Sequence, residues 1–221
     1  MKSMAVNAIN KKLTMDEIVA QAWVFFLAGS ETTSNTLGYG SYELALNPHI
    51  QDRLYDEVMS SVDSEGEISY DELAKLPLLD AVISETLRLY PSVVRLDRKA
   101  KVDYKLADTG ITIEKGKCVE IPVYAIHHSE EYYENAHQFD PDRFMPQNRH
   151  KLVAYTYLPF GAGPHNCIGM RFALMEVKLA FVHIIQRFRF VRTEQTSVPL
   201  EYRKAVPFLS ATSVVVGIQK R

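Results

Sequence analysis

The chain has 221 residues, 47% of them hydrophobic and 24% charged, with a formal net charge of -2 at pH 7. These values are ordinary for a globular protein and allow one large domain or two small ones, while the near-neutral balance without a dense basic run argues against nucleic acid as a partner. Two cysteines, Cys118 and Cys167, are too few for a disulfide framework and fit a reducing, cytosol-facing environment.

The first residues, Met1-Lys2-Ser3-Met4-Ala5-Val6 followed by Asn10-Lys11-Lys12, lack the apolar region of a signal peptide. The longest strongly apolar stretch, 22–28, is far shorter than the roughly 20 residues a membrane helix needs. Thr14 and Glu17 have capping-box spacing, and an apolar helical pattern then runs over 18–46 until Asn47-Pro48 stops it. Around Trp23-Val24-Phe25-Phe26-Leu27 that pattern is apolar on nearly every face, which predicts burial inside a large fold. Gly29, Ser30, Thr32 and Thr33 are poor helix formers grouped at mid-length, and a polar break in an apolar helix suggests a site.

A second helix is predicted over 50–61. Ser69 and Glu72 have capping-box spacing for a short turn, and a further helix over 76–89 ends at Tyr90-Pro91. Short β-type runs at 111–113 and 119–123 follow, divided by Asp108-Thr109-Gly110 and Lys115-Gly116. Residues 129–157 read as irregular, polar and aromatic; so long a loop is functional or tightly packed on its neighbours. A helix is expected over 170–187, and Val214-Val215-Val216 reads as a terminal strand.

The most informative segment is Leu158-Pro159-Phe160-Gly161-Ala162-Gly163-Pro164-His165-Asn166-Cys167-Ile168-Gly169. Glycines and prolines hold such a loop in a compact turn. Cys167 closes it just before a helix, where the helix dipole and backbone N–H groups suit a thiolate. A thiolate in an ordered, dry loop is a good axial ligand for haem iron. The alternative for a lone cysteine is a buried structural thiol.

Phe160-x-x-Gly163-x-x-x-Cys167-x-Gly169 resembles the haem loop of the cytochromes P450. Glu85-Thr86-Leu87-Arg88 resembles that family's Glu-x-x-Arg signature, and Arg143 in Phe139-Asp140-Pro141-Asp142-Arg143-Phe144 resembles the third member of the network. Ala28-Gly29-Ser30-Glu31-Thr32-Thr33 resembles the oxygen-activating helix motif; read without the family, the threonines would bond back to their own helix carbonyls. Val94-Arg95-Leu96-Asp97-Arg98 and the run 167–175 resemble the microsomal, drug-metabolising type.

The resemblance implies a mainly α fold with small antiparallel β-sheets, the C-terminal part of the P450 fold. Residues 1–221 would form a partial domain, with the N-terminal half and a membrane anchor upstream. It implies haem b held by Cys167, with Phe160, Gly163, His165, Arg98, Ala28 and Gly169 around it. Glu31 and Thr32 would relay protons, and Glu85, Arg88 and Arg143 would brace the loop. Phe25, Ala28, Val93 and Leu96 would face substrate; on composition alone they are equally core residues. The implied activity is monooxygenation of a lipophilic small molecule by O2, with electrons from an NADPH-dependent reductase at the cytosolic face of the endoplasmic reticulum. Peroxide isomerisation on the same haem and an inert truncated chain are the competing readings.

His165 departs from the pattern, which usually has arginine at this position. Histidine is neither permanently charged nor bidentate, so haem retention is expected to weaken at high pH. A partial fold would also leave the helix over 18–46 partly uncovered and the chain prone to aggregate. His127, His128, Glu130, Glu131 and His137 match no standard zinc spacing and read as solvated. Cys118 reads as a packed core thiol.

Overall fold

The computed structural model describes residues 12–204 and 208–221. The N-terminal stretch discussed above therefore lies outside the described residues, apart from its last position. Helix α1 spans Met15–Leu46, opened by the predicted box: the Thr14 side chain accepts the Glu17 N–H, and Glu17 reaches back to the cap. Helix α2 (Pro48–Met59) follows with proline in its first turn, and α3 (Tyr70–Leu73) is a single turn. Its capping is one-sided: Ser69 accepts the Glu72 N–H while the Glu72 carboxylate pairs with Lys75. Helix α4 runs over Pro77–Leu89.

Four short strands come next: β1 (Leu96–Lys99), β2 (Tyr104–Lys105), β3 (Thr112–Ile113) and β4 (Cys118–Ile121). They pair antiparallel as β1 with β4 and β2 with β3. The β-type run at 119–123 divides, because Val123 opens α5 (Val123–His127). Residues 129–157 contain only short 3-10 turns, among them Pro141–Phe144. Helix α6 covers Met170–Arg187, and β5 (Phe188–Val191) pairs antiparallel with β6 (Gly217–Lys220). The terminal strand thus begins one residue beyond the three valines, which have no strand pairing of their own. The fold is mainly α with three two-stranded sheets among the described residues.

The core gathers where the C-terminal part of α1 meets α2, α4 and α6, around Leu44, Leu54, Leu79, Val82, Phe181 and Ile185. Gly40 is a point of close approach: a Cβ there would lie 2.6 Å from the Phe181 ring. The N-terminal half of α1 behaves oppositely. Trp23, Phe25 and Phe26 are 63%, 59% and 69% exposed, so the predicted burial fails and the uncovered face is found instead. No described helix is long and apolar enough to cross a membrane.

Candidate active site

Residues 158–169 turn tightly ahead of α6. Gly161 and Gly163 have φ of +71° and +80°, a region that larger side chains occupy only with strain. The Leu158 carbonyl accepts the Gly161 N–H at 3.0 Å, and the Phe160 carbonyl accepts the Cys167 N–H at 2.9 Å. These bonds hold Cys167 at the close of the loop with its thiol free and exposed. Gly169 opens α6 without a side-chain capping bond, and a Cβ there would stand 3.9 Å from Cys167 Sγ. Beside the thiol, Ile168 is 89% exposed and Phe172 74%. His165 and Gly163 are exposed as well.

The polar break of α1 comes to this loop. A narrow cleft is lined by Thr32 and Thr33 of α1, Leu87 of α4, Phe160 of the loop and Ala173 of α6. Ala28 is exposed, and a Cβ on Gly29 would meet nothing within 4 Å. Thr32 Oγ1 donates to the Ala28 carbonyl at 2.7 Å, the back-bonding that the alternative reading without the family gives. Thr33 Oγ1 donates to Glu176 at 3.5 Å. Glu31 is half-buried on the same turn.

Strand β1 flanks the loop, since a Cβ on Gly161 would lie 3.6 Å from Leu96 Cδ1. Arg98 is half-buried and donates to the Asp97 carbonyl at 2.9 Å. Val93 and Leu96 are half-buried, whereas Phe25 and Ala28 are exposed and are not core residues here.

Glu85 and Arg88 of α4 form a charged network with Arg143 of the irregular segment. Arg88 has no exposed surface; its Nε donates to Glu85 Oε2 at 2.7 Å and its Nη2 to Oε1 at 2.8 Å. Arg88 Nη1 donates to the carbonyls of His127 and Ala136 at 2.6 and 2.7 Å. Arg143 Nε reaches Glu85 Oε1 at 3.4 Å, and the Asp140 N–H donates to the same oxygen at 2.9 Å. Segments 39 to 58 residues away in sequence are thereby tied to α4.

Two residues depart from expectation. Cys118 is exposed on β4, so it is not a core thiol. His127 is fully buried, and burial pushes its pKa down to about 4. Its Nδ1 lies 3.1 Å from the Arg88 carbonyl, and its Nε2 accepts the Leu158 N–H at 2.8 Å. The residue that reads as solvated in sequence is therefore a buried tie to the start of the loop. No group of three or more metal-ligating side chains gathers among the described residues.

The family model for Cytochrome P450 matches residues 1–214. The chain belongs to the cytochrome P450 family. Its curated relatives include Cytochrome P450 9e2 of Blattella germanica, 45% identical over 86% of this chain and 36% of that protein. Cytochrome P450 3A2 of Rattus norvegicus is 44% identical over 96% of this chain and 42% of its own length. Cytochrome P450 3A29 of Sus scrofa is 42% identical over 87% and 38%. The P450 chain spans about two-fifths of the length of the curated relatives it matches.

P450 membership implies haem with a cysteine thiolate ligand. The donor set of this P450 chain fits that group. It offers one free, exposed thiol on a loop fixed by backbone bonds, with large apolar side chains beside it and a glycine-opened helix next in sequence.

Proposed function

We propose that this chain is the C-terminal part of a haem-thiolate monooxygenase domain. In this reading it takes part in inserting one oxygen atom of O2 into a lipophilic small molecule, with electrons from an NADPH-dependent reductase. The observation that carries the reading is the exposed Cys167 thiol on a bonded loop whose Phe160 lines one cleft with Thr32 of α1. The 41–46% identity to named cytochromes P450 supports it. The parent protein would act at the cytosolic face of the endoplasmic reticulum.

Bound haem supplies the dioxygen and one-electron chemistry. Cys167 would hold the iron through its thiolate, Phe160 and Gly169 would fix the thiol's approach, and Arg98 and His165 would help to retain the group. Glu31 and Thr32 would handle protons. Thr32 Oγ1 spends its hydrogen on Ala28 O and keeps lone pairs to accept from a partner in the cleft. Glu31 follows as a half-buried carboxyl able to resupply a proton. Phe25, Val93 and Leu96 would face substrate. Glu85, Arg88 and Arg143 brace the loop without touching the reacting atoms. Peroxide isomerisation would not need the acid–alcohol pair, so reductase-dependent turnover separates the two chemistries.

The deciding experiment is a reduced carbon-monoxide difference spectrum of the chain supplied with haem. A red-shifted thiolate-type Soret band that disappears in Cys167→Ala supports the reading. An imidazole-type band, or one unchanged by Cys167→Ala, overturns the ligand assignment. His165→Arg is expected to slow haem loss on gel filtration at neutral pH.

A further inference from the structure

Among the described residues a side chain ties the charged network to the Cys167 loop, and neither the family match nor the proposed chemistry assigns it a role. His127 closes α5 and is fully enclosed. Its ring stacks on Tyr157 with centroids 5.7 Å apart, and its own carbonyl accepts from Arg88 Nη1 at 2.6 Å. Its two nitrogens do different work. Nδ1 faces the Arg88 carbonyl at 3.1 Å, which only a protonated nitrogen can satisfy. Nε2 accepts the Leu158 N–H at 2.8 Å, which only a bare nitrogen can do. The two contacts together specify the neutral Nδ1–H tautomer.

From Leu158 the loop is held by short steps. The Leu158 carbonyl takes the Gly161 N–H, Gly163 takes Asn166, and Phe160 takes Cys167. The bond from His127 is therefore the first in a series that ends at the thiol-bearing residue. We infer that His127 is a positioning residue for Cys167: its imidazole pins the first peptide of the loop to α4 and so sets where the thiol stands. The inference rests on the haem-thiolate reading only for what the thiol does, since the tie itself is a property of the chain.

Ionisation would break the tie, because an imidazolium has no acceptor for Leu158. The groups facing the ring oppose that charge. They are the Arg88 guanidinium, paired on its far side with Glu85, and the neighbouring His128, itself 5.3 Å from His137. Tyr157, half-buried and stacked on the same ring, has its own ionisation suppressed by desolvation.

The test is amide hydrogen exchange of the full chain without haem, on wild type, His127→Leu and His127→Gln. Gln keeps an acceptor but cannot titrate. In His127→Leu, protection at Leu158 and Gly161 should fall about tenfold, the scale of one lost buried hydrogen bond, while the α4 core amides hold. His127→Gln should recover most of that protection. Its Leu158 protection should no longer fall with acid, as the wild type's does below about pH 5. Protection at Leu158 within twofold of wild type in His127→Leu overturns the inference. So does an equal loss across α4, which would mark a general packing role. With haem supplied, His127→Leu should convert part of the thiolate-type carbon-monoxide band to the displaced form. A wild type lacking that band sinks the haem-thiolate reading and leaves the exchange result to decide this one.

Discussion

Glu43 sits near the end of α1, where helix carbonyls disfavour a negative charge. It is 7% exposed; Tyr90 donates to one oxygen and Asn47 to the other, and burial pushes its pKa from 4.5 up to about 7. A shift of that size is worth about 3 kcal/mol at most. The contribution is fully present below pH 4.5, fades as pH rises, and is gone above about 7, because the unfolded chain then ionises freely. His127 acts in the opposite sense. Its pKa falls from 6.5 to about 4, so its contribution is present above 6.5 and lost as pH drops toward 4. Over that shared window the two offset one another, and wild-type stability should change little on their account. Glu43→Gln should therefore become less stable as pH falls from 7 to 5, and His127→Gln more stable over the same range, both read from urea midpoints. Parallel curves for the two variants would show that one assignment is mistaken. Neither residue is legible in the sequence. A glutamate in an amphipathic helix and an imidazole in a polar loop both read as solvated, and their partners lie 47 and 31 positions away. The loop that carries Cys167 was legible because its glycines and its closing backbone bonds are local.

Elements were read well where their causes are local. Caps and prolines mark α1, α2 and α4 to within a few residues, and the long apolar pattern gives α6 its bounds, Met170–Arg187. The small strands were less legible, because two-residue pairings depend on the partner; Phe188–Val191 offered an alternating run that a stricter period-two reading would have found. How the helices pack yields two predictions. In Gly40→Ala the new Cβ would meet the buried Phe181 ring at 2.6 Å, so α1 must move off α6 or the ring must turn. The cost should be about 1–3 kcal/mol, read as a lower denaturation midpoint. Glu85→Gln removes the charge that Arg88 and Arg143 share and leaves a guanidinium enclosed. Breaking a buried pair from one side costs about 3–5 kcal/mol, so the irregular segment that α4 holds should open before the rest. Proteolysis between residues 129 and 157 should accelerate in that variant. Equal cutting across the whole chain would show instead that the network supports global stability alone.

At the scale of the molecule, the two halves of α1 are in different environments. From Thr33 onward the helix is enclosed by α2, α4 and α6; from Ile18 to Leu27 its apolar side chains meet solvent, with Trp23 and Phe26 stacked at 6.4 Å. The sequence pattern called for burial on nearly every face, and the described residues provide no partner for that length. Exposed apolar area of this extent drives association, since each buried large side chain is worth about 1.5–3 kcal/mol. The chain on its own should therefore self-associate, with apparent mass rising with concentration in sedimentation runs and a dye for apolar surface binding strongly. Trp23→Ser with Phe26→Ser should reduce both signals. It should leave the unfolding midpoint almost unmoved, because neither ring packs into the core. A midpoint that falls by several degrees would mean that this part of α1 is enclosed in solution, by the chain itself or by a second copy, and the concentration dependence of the midpoint separates those two cases.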